Sequence, residues 1–301
     1  SRLPGAVSVS LDRASQTPLV HLATSQGAKA ALRLHGAHLV SWAACDGVER
    51  LFVSNASLTE SGTPIRGGVP VCWPQFSGRG PLPKHGFART SEWTIESMGS
   101  SEDQKTAEVT LRLDDSPATR DIWPHAFSLL YTVTLTDNSL SMRLEVTNKG
   151  EQPFSFTGAL HTYLQVGSVA HAFILGLGGL RYEDNTAGLA VVEEIKAESL
   201  TISGEVDRVY IDAPESLHVR APRLDANGQP ILSDMRTLQI RKDGFRDTVL
   251  WNIGESRAPT IVDLGAGEWQ RYVCVEAAAA ASPVELLAGG TFVGTQTLTA
   301  V

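Results

Sequence analysis

Charge is scarce in this sequence of 301 residues: Asp, Glu, Lys and Arg make up 19%, and the balance is negative, −8 at pH 7. No run of Lys or Arg forms a stripe or an arm, which argues against a nucleic-acid partner. Long apolar runs are also missing. Even Val275–Val293 is interrupted by Glu, Pro and Gly, and nothing reaches the ~20 apolar residues that a membrane-spanning helix needs. Ser1–Leu11 lacks the basic region followed by an apolar block that marks a secretory signal. Cysteine is rare: Cys45, Cys72 and Cys274 are odd in number, widely spaced and without C-x-x-C spacing. Reduced, mostly buried thiols in a cytoplasmic protein are the expectation. Dinucleotide-binding glycine loops, Walker sequences and G-x-S-x-G elbows are absent.

What is present is enough apolar residue, 42%, for a large core, and a strong alternation of period two. Lys105–Asp114 puts Ala107, Val109, Leu111 and Leu113 on one face and Glu108, Thr110, Arg112 and Asp114 on the other, as in a half-buried strand. Ser139–Thr147 repeats this, with Leu140, Met142, Leu144 and Val146 opposed to polar residues. Asp137-Asn138 between the second strand and the run before it predicts a tight hairpin. Further strand-like runs are Leu19–Thr24, Ala28–Ala44, Phe127–Thr136, Phe154–Val166, Leu189–Ile195, Ser216–Arg220, Thr237–Lys242, Thr248–Asn252, Trp269–Ala277 and Thr291–Ala300. No strong amphipathic helix stands out. So many short strands between Gly, Pro, Asn and Asp turns predict an all-β fold, a large antiparallel β-sandwich. With no linker, repeat or low-complexity block, residues 1–301 are expected to form a single domain.

Three segments could carry chemistry. In Phe154–Val166, His161 shares a face with Tyr163 and Gln165, which suits the floor of a sugar site or a solvated strand face. Glu276 lies in the run Tyr-Val-Cys-Val-Glu-Ala-Ala-Ala with no other charge nearby. Desolvation there would raise its pKa toward the range useful for proton transfer, unless an Arg pairs with it. The Gly- and Pro-rich stretch Thr63–Arg89 reads as a long ordered loop, and from Ile65 to Arg89 it holds Arg66, Arg79, Lys84, His85 and Arg89 with no acid. Such an island of positive charge is either an anion pocket or a set of separately paired arginines. His35 and His38, three apart in a strand-like run, should face opposite sides and make a poor metal pair. His125 and His171 fall near segment boundaries, where a structural or exposed role is expected.

Four motifs in order then resemble the aldose 1-epimerase (mutarotase) superfamily, and within it the hexose-6-phosphate mutarotases. They are Arg66-Gly67-Gly68-Val69-Pro70-Val71-Cys72-Trp73-Pro74-Gln75-Phe76 followed by His85-Gly86-Phe87-Ala88-Arg89; Gly158-Ala159-Leu160-His161-Thr162-Tyr163; Asp207-Arg208-Val209-Tyr210; and Tyr272-Val273-Cys274-Val275-Glu276. The resemblance implies a galactose-mutarotase-like supersandwich without metal or organic cofactor. It also implies that His161 and Glu276 are catalytic and that Asp207 contacts the sugar. One departure is visible: Trp251-Asn252-Ile253 stands where the group often reads Trp-Asn-Pro. A changed loop conformation is expected there, since Pro fixes φ and Ile does not.

The implied reaction is anomer interconversion of a hexose 6-phosphate, with Glu276 as base and His161, ordinary pKa about 6.5, as acid. His85 is expected to donate a hydrogen bond to the sugar or polarise its ring oxygen. Asp207 would accept from hydroxyls, and Arg66 and Arg89 would hold the phosphate. The expected partner is a small sugar phosphate, and the expected state a monomer. Two alternatives stand beside this: a mutarotase for unphosphorylated aldoses, and a non-catalytic carbohydrate-binding sandwich.

Overall fold

The structure, a computed structural model, describes residues 6–12, 17–57 and 63–301; the first five residues of the segment read above for a secretory signal lie outside these. Among the described residues, three antiparallel sheets of four, eight and nine strands make up the architecture. The two clearest alternating segments form neighbouring parts of the nine-stranded sheet. Ala107–Asp114 pairs with Phe127–Leu135, and that strand pairs with Ser139–Asn148 across the Asp137-Asn138 turn, Leu135 opposite Leu140. Their apolar faces, including Val109, Leu111, Leu129, Val133, Leu140 and Met142, are fully buried. One apolar cluster joins residues of all three sheets, among them Leu22, Trp73, Leu129, Leu160, Val219 and Val273.

Several segments depart from the expected boundaries for identifiable reasons. Ala28–Ala44 is two strands, Lys29–Arg33 and Leu39–Ala43. The chain turns between them through left-handed Gly36 and Ala37, where a Cβ on Gly36 would come within 2.4 Å of the Arg89 carbonyl oxygen. The opposite-face argument for His35 and His38 therefore fails, because they flank a turn. His35 meets Glu92 at 2.7 Å, while His38, pushed down to about 3 by burial, bonds the Gly67 carbonyl. Trp269 belongs to the 3-10 turn Glu268–Arg271, after which Tyr272–Leu286 runs much further than its apolar half suggested. Short strands such as Val206–Tyr210 and Arg181–Asp184 escaped the alternation reading, since four or five residues hold too few alternations to register. The only α-helices among the described residues are short, Pro117–Ile122 and Gly254–Arg257, and none is long and apolar enough to cross a membrane.

The eight-stranded sheet builds the site. Its strand Tyr272–Leu286 is central, with Asp247–Asn252 on one side and Phe154–Leu160 and Tyr163–Gln165 on the other. A strand covered on both faces is apolar throughout rather than alternating, which explains the run through Ala277–Ala280. Ala277 and Ala279 join the main core, while Ala278 and Ala280 pack with Cys72, Phe76 and Ala159 on the opposite face.

Candidate active site

Phe154–Val166, read as one strand, is interrupted at His161-Thr162. The loop of residues 65–75 intervenes there: His161 N–H donates to the Pro70 carbonyl at 3.0 Å, and Tyr163 N–H to that of Gly68 at 2.9 Å. The register is the same before and after the break, Leu160 opposite Ala277 and Tyr163 opposite Cys274, which sets His161 opposite Glu276. The rows continue across the sheet. Val209, Val249 and Glu276 lie in line, and beside them Asp207, Trp251, Cys274 and Tyr163. Strand side chains two apart share a face, so Asp207, Trp251, Glu276, His161 and Tyr163 all project to one side.

They line a cavity of about 310 Å³, roofed by the Gly/Pro-rich loop, which contributes Arg66, Lys84, His85 and Arg89. Left-handed Gly67, Gly68 and Gly86 let this loop lie against backbone: a Cβ on Gly68 would stand 2.1 Å from the Leu39 carbonyl oxygen. The Gln75 side chain ties the loop to itself through Ser77 O, Leu82 O and Leu82 N. His85, left-handed although not glycine, is held by Ser77 at both ends: its N–H donates to Ser77 O, and its Nδ1 accepts from Ser77 N at 3.2 Å. An accepting Nδ1 on a neutral imidazole leaves the proton on Nε2, and burial keeps His85 neutral by pushing its pKa well down.

His161 Nδ1 lies 3.2 Å from Glu276 Oε1, both side chains nearly inaccessible. The contact is an ion-pair distance without hydrogen-bond alignment, and neither His161 Nδ1 nor Glu276 Oε2 has a hydrogen-bond partner. Burial, and then the nearby cations Arg66 and Arg89, push His161 well below its ordinary 6.5, so the near-neutral acid anticipated from sequence is a strongly shifted one. Burial, and then Asp207, push Glu276 well above 4.5. Both shifts favour the uncharged forms, a neutral carboxyl beside a neutral imidazole.

The remaining expected residues divide. Asp207 lines the cavity, accepts from Asn185 Nδ2, and is raised by burial. Arg89 is held by the Lys84 carbonyl at 2.8 Å; its Nε is buried without a partner, and it has no ion pair among the described residues. Arg66 is already engaged, by Asp263 at 3.1 Å and by the Tyr163 hydroxyl at 3.1 Å. Arg79 points away, into Glu183 and Asn185. Tyr163, Trp251, Asn185 and Asp263 were not assigned roles from sequence. Trp251 and Tyr163 stood in quoted motifs, and Tyr163 shared the face of His161; Asn185 and Asp263 have partners too distant in the chain to be read. At the departure, Ile253 has φ −67° and ψ −21° and precedes the short helix Gly254–Arg257. Asn252 anchors the turn by donating to Trp269 O and Tyr272 O at 2.9 Å.

A larger cavity of about 630 Å³ opens elsewhere, between Asp46–Arg50 and Val219–Ala226. Its arginines are paired among themselves with Asp46 and Asp234, and it holds no abutting acid and base like those of the smaller one.

The aldose 1-epimerase family model matches residues 18–299. This chain belongs to that family. Its reaction is the interconversion of the anomers of an aldose. The chain is 33% identical over 278 residues to a protein of Cenchrus ciliaris provisionally named glucose-6-phosphate 1-epimerase, covering 90% of this chain and 81% of that one. It resembles the crystal structure of YeaD from Salmonella typhimurium, provisionally named a mutarotase, with TM-score 0.84 and 28% identity, over 99% of this chain and 97% of that one. The galactose 1-epimerase of Lactobacillus acidophilus shares the fold, TM-score 0.73 over 99% of each chain, at 15% identity.

Proposed function

We propose that the substrate is a hexose 6-phosphate, glucose 6-phosphate foremost, and that Glu276 and His161 open and reclose its ring. The observation that carries the chemistry is the 3.2 Å spacing of His161 and Glu276. Anomer exchange removes a proton from O1 and delivers one to the ring oxygen O5, and both oxygens are bonded to C1. The base and the acid that serve them must therefore be neighbours. With its proton passed to His161, Glu276 takes the O1 proton while His161 protonates O5, and the C1–O5 bond breaks to give the aldehyde. Rotation about C1–C2 and the reverse transfers close the other anomer. His85 Nε2–H is a donor toward the sugar, Asp207 accepts from its hydroxyls, and Trp251 offers an apolar wall.

The phosphate reading rests on the charge of the cavity wall: Arg66, Lys84 and Arg89 line the same cavity as His161 and Glu276. A phosphate on C6 is an anion that such a wall suits. Arg89, with an unpaired buried Nε, is the principal ligand, with Lys84 at the rim and Arg66 contributing donors left over from Asp263 and Tyr163. Exchange NMR on equilibrated glucose 6-phosphate, glucose and galactose tests both parts. Acceleration of the phosphate ester alone supports them; acceleration of the free sugars alone keeps the acid–base pair and discards the phosphate site; no acceleration discards both.

A further inference from the structure

Asp263 does not line the cavity, yet it is buried and linked to the cavity's centre by a continuous chain of contacts. Its Oδ1 accepts from Arg66 Nε and faces Nη2, both at 3.1 Å. Arg66 Nη1 donates to the Tyr163 hydroxyl at 3.1 Å. The Tyr163 ring lies flat on the His161 imidazole, with centroids 4.7 Å apart and planes 9° apart. Phe52, Trp251 and Tyr272 pack around the Tyr163 ring, so the guanidinium is what fixes its polar end. His161 needs such support, because its Nδ1 has no hydrogen bond to orient the ring. A planar guanidinium seated on a carboxylate holds direction as well as charge.

We propose that Asp263 is a positioning residue for proton transfer at His161, acting through Arg66 and Tyr163. The inference rests on the acid role of His161 and makes Arg66 more than an anion ligand. Replacing Asp263 removes no group that can touch the sugar; it releases Arg66, then the Tyr163 hydroxyl, then the plane on which the imidazole lies. It also leaves the Arg66 charge uncompensated close to the ring.

The test measures kcat and KM on glucose 6-phosphate together with the ¹⁵N NMR titration of the His161 imidazole, in wild type, Asp263→Asn, Asp263→Glu and Tyr163→Phe. Asp263→Asn is expected to lower kcat by about 10- to 100-fold, as small misplacements of catalytic groups do, whatever release of Arg66 does to KM, with a shifted imidazole titration. Asp263→Glu should recover part of the loss. Tyr163→Phe keeps the ring packing and should lower kcat in the same direction, so it decides the matter if Asp263→Asn fails to fold. Wild-type kcat and imidazole titration in the folded variants would overturn the proposal, and so would a rise in KM alone. The imidazole signal needs no turnover: a wild type inactive on every sugar phosphate would discard the substrate reading, and the titration would still judge the positioning.

Discussion

His161, in the break between two strand segments, faces Glu276 of the neighbouring strand at 3.2 Å, each buried and each with a nitrogen or oxygen that no other group among the described residues satisfies. Buried polar atoms are seldom left unpartnered, and here two adjoining side chains at the floor of one cavity each carry one. Glu276→Gln and His161→Asn keep shape and remove the proton chemistry. Each should lose at least ~100-fold in turnover, the low end of what positioned acid–base catalysis contributes. Exchange NMR measures the rate, and unchanged circular dichroism would separate lost chemistry from lost fold.

Stability should move the other way in Glu276→Gln. Burial raises the folded-state pKa of Glu276 above 4.5, so its protonated form stabilises the fold fully below about pH 4.5, and that contribution is lost as pH rises through the raised value. Gln has no such loss. The two proteins should melt together near pH 4, and by pH 8 the variant should melt at the higher temperature. Melting curves over that range check it; equal melting temperatures at pH 8 would mean that His161 keeps the carboxylate charged at little cost.

The acid limb of the rate profile follows from His161. Its folded pKa is depressed by burial, so the second proton joins the pair only below the ordinary 6.5. Activity should hold as pH falls through 6.5 and decline at lower values. A limb centred at 6.5 in kcat/KM would show an imidazole titrating as if exposed.

Arg89→Ala should separate phosphorylated from free sugars. Removing one charged donor to a phosphate costs about 1.5–3 kcal/mol, equivalent to a rise in KM on the order of 10- to 100-fold for glucose 6-phosphate. Free glucose should be affected far less. Similar changes for both would move the anion site elsewhere in the cavity.

Asn185 stands between Arg79, which donates to its Oδ1, and Asp207, which accepts from its Nδ2. Arg79 thereby fixes which way the amide faces. Asn185→Ala should therefore lower kcat/KM severalfold for phosphorylated and free sugars alike if Asp207 accepts, as proposed, from hydroxyls common to both. Steady-state comparison of the two substrates reads this directly.

Much of this protein was decided locally in its sequence. Strict alternation in Lys105–Asp114 and Ser139–Thr147 marked half-buried strands because a strand turns successive side chains to opposite faces. The apolar run around Glu276 marked a desolvated carboxyl, and it is 1% exposed. The acid-free stretch from Ile65 to Arg89 marked the loop that roofs the cavity. What the tertiary structure decided is which of these residues come together. His161 and Glu276 are 115 positions apart and meet only through strand register; Arg66 and Arg79 look alike in sequence, yet Asp263 and Tyr163 claim one, Glu183 and Asn185 the other, and Arg89 has no ion pair among the described residues. Pairing across a sheet depends on register and distant partners rather than on neighbours in the chain, and a single sequence carries no direct trace of either.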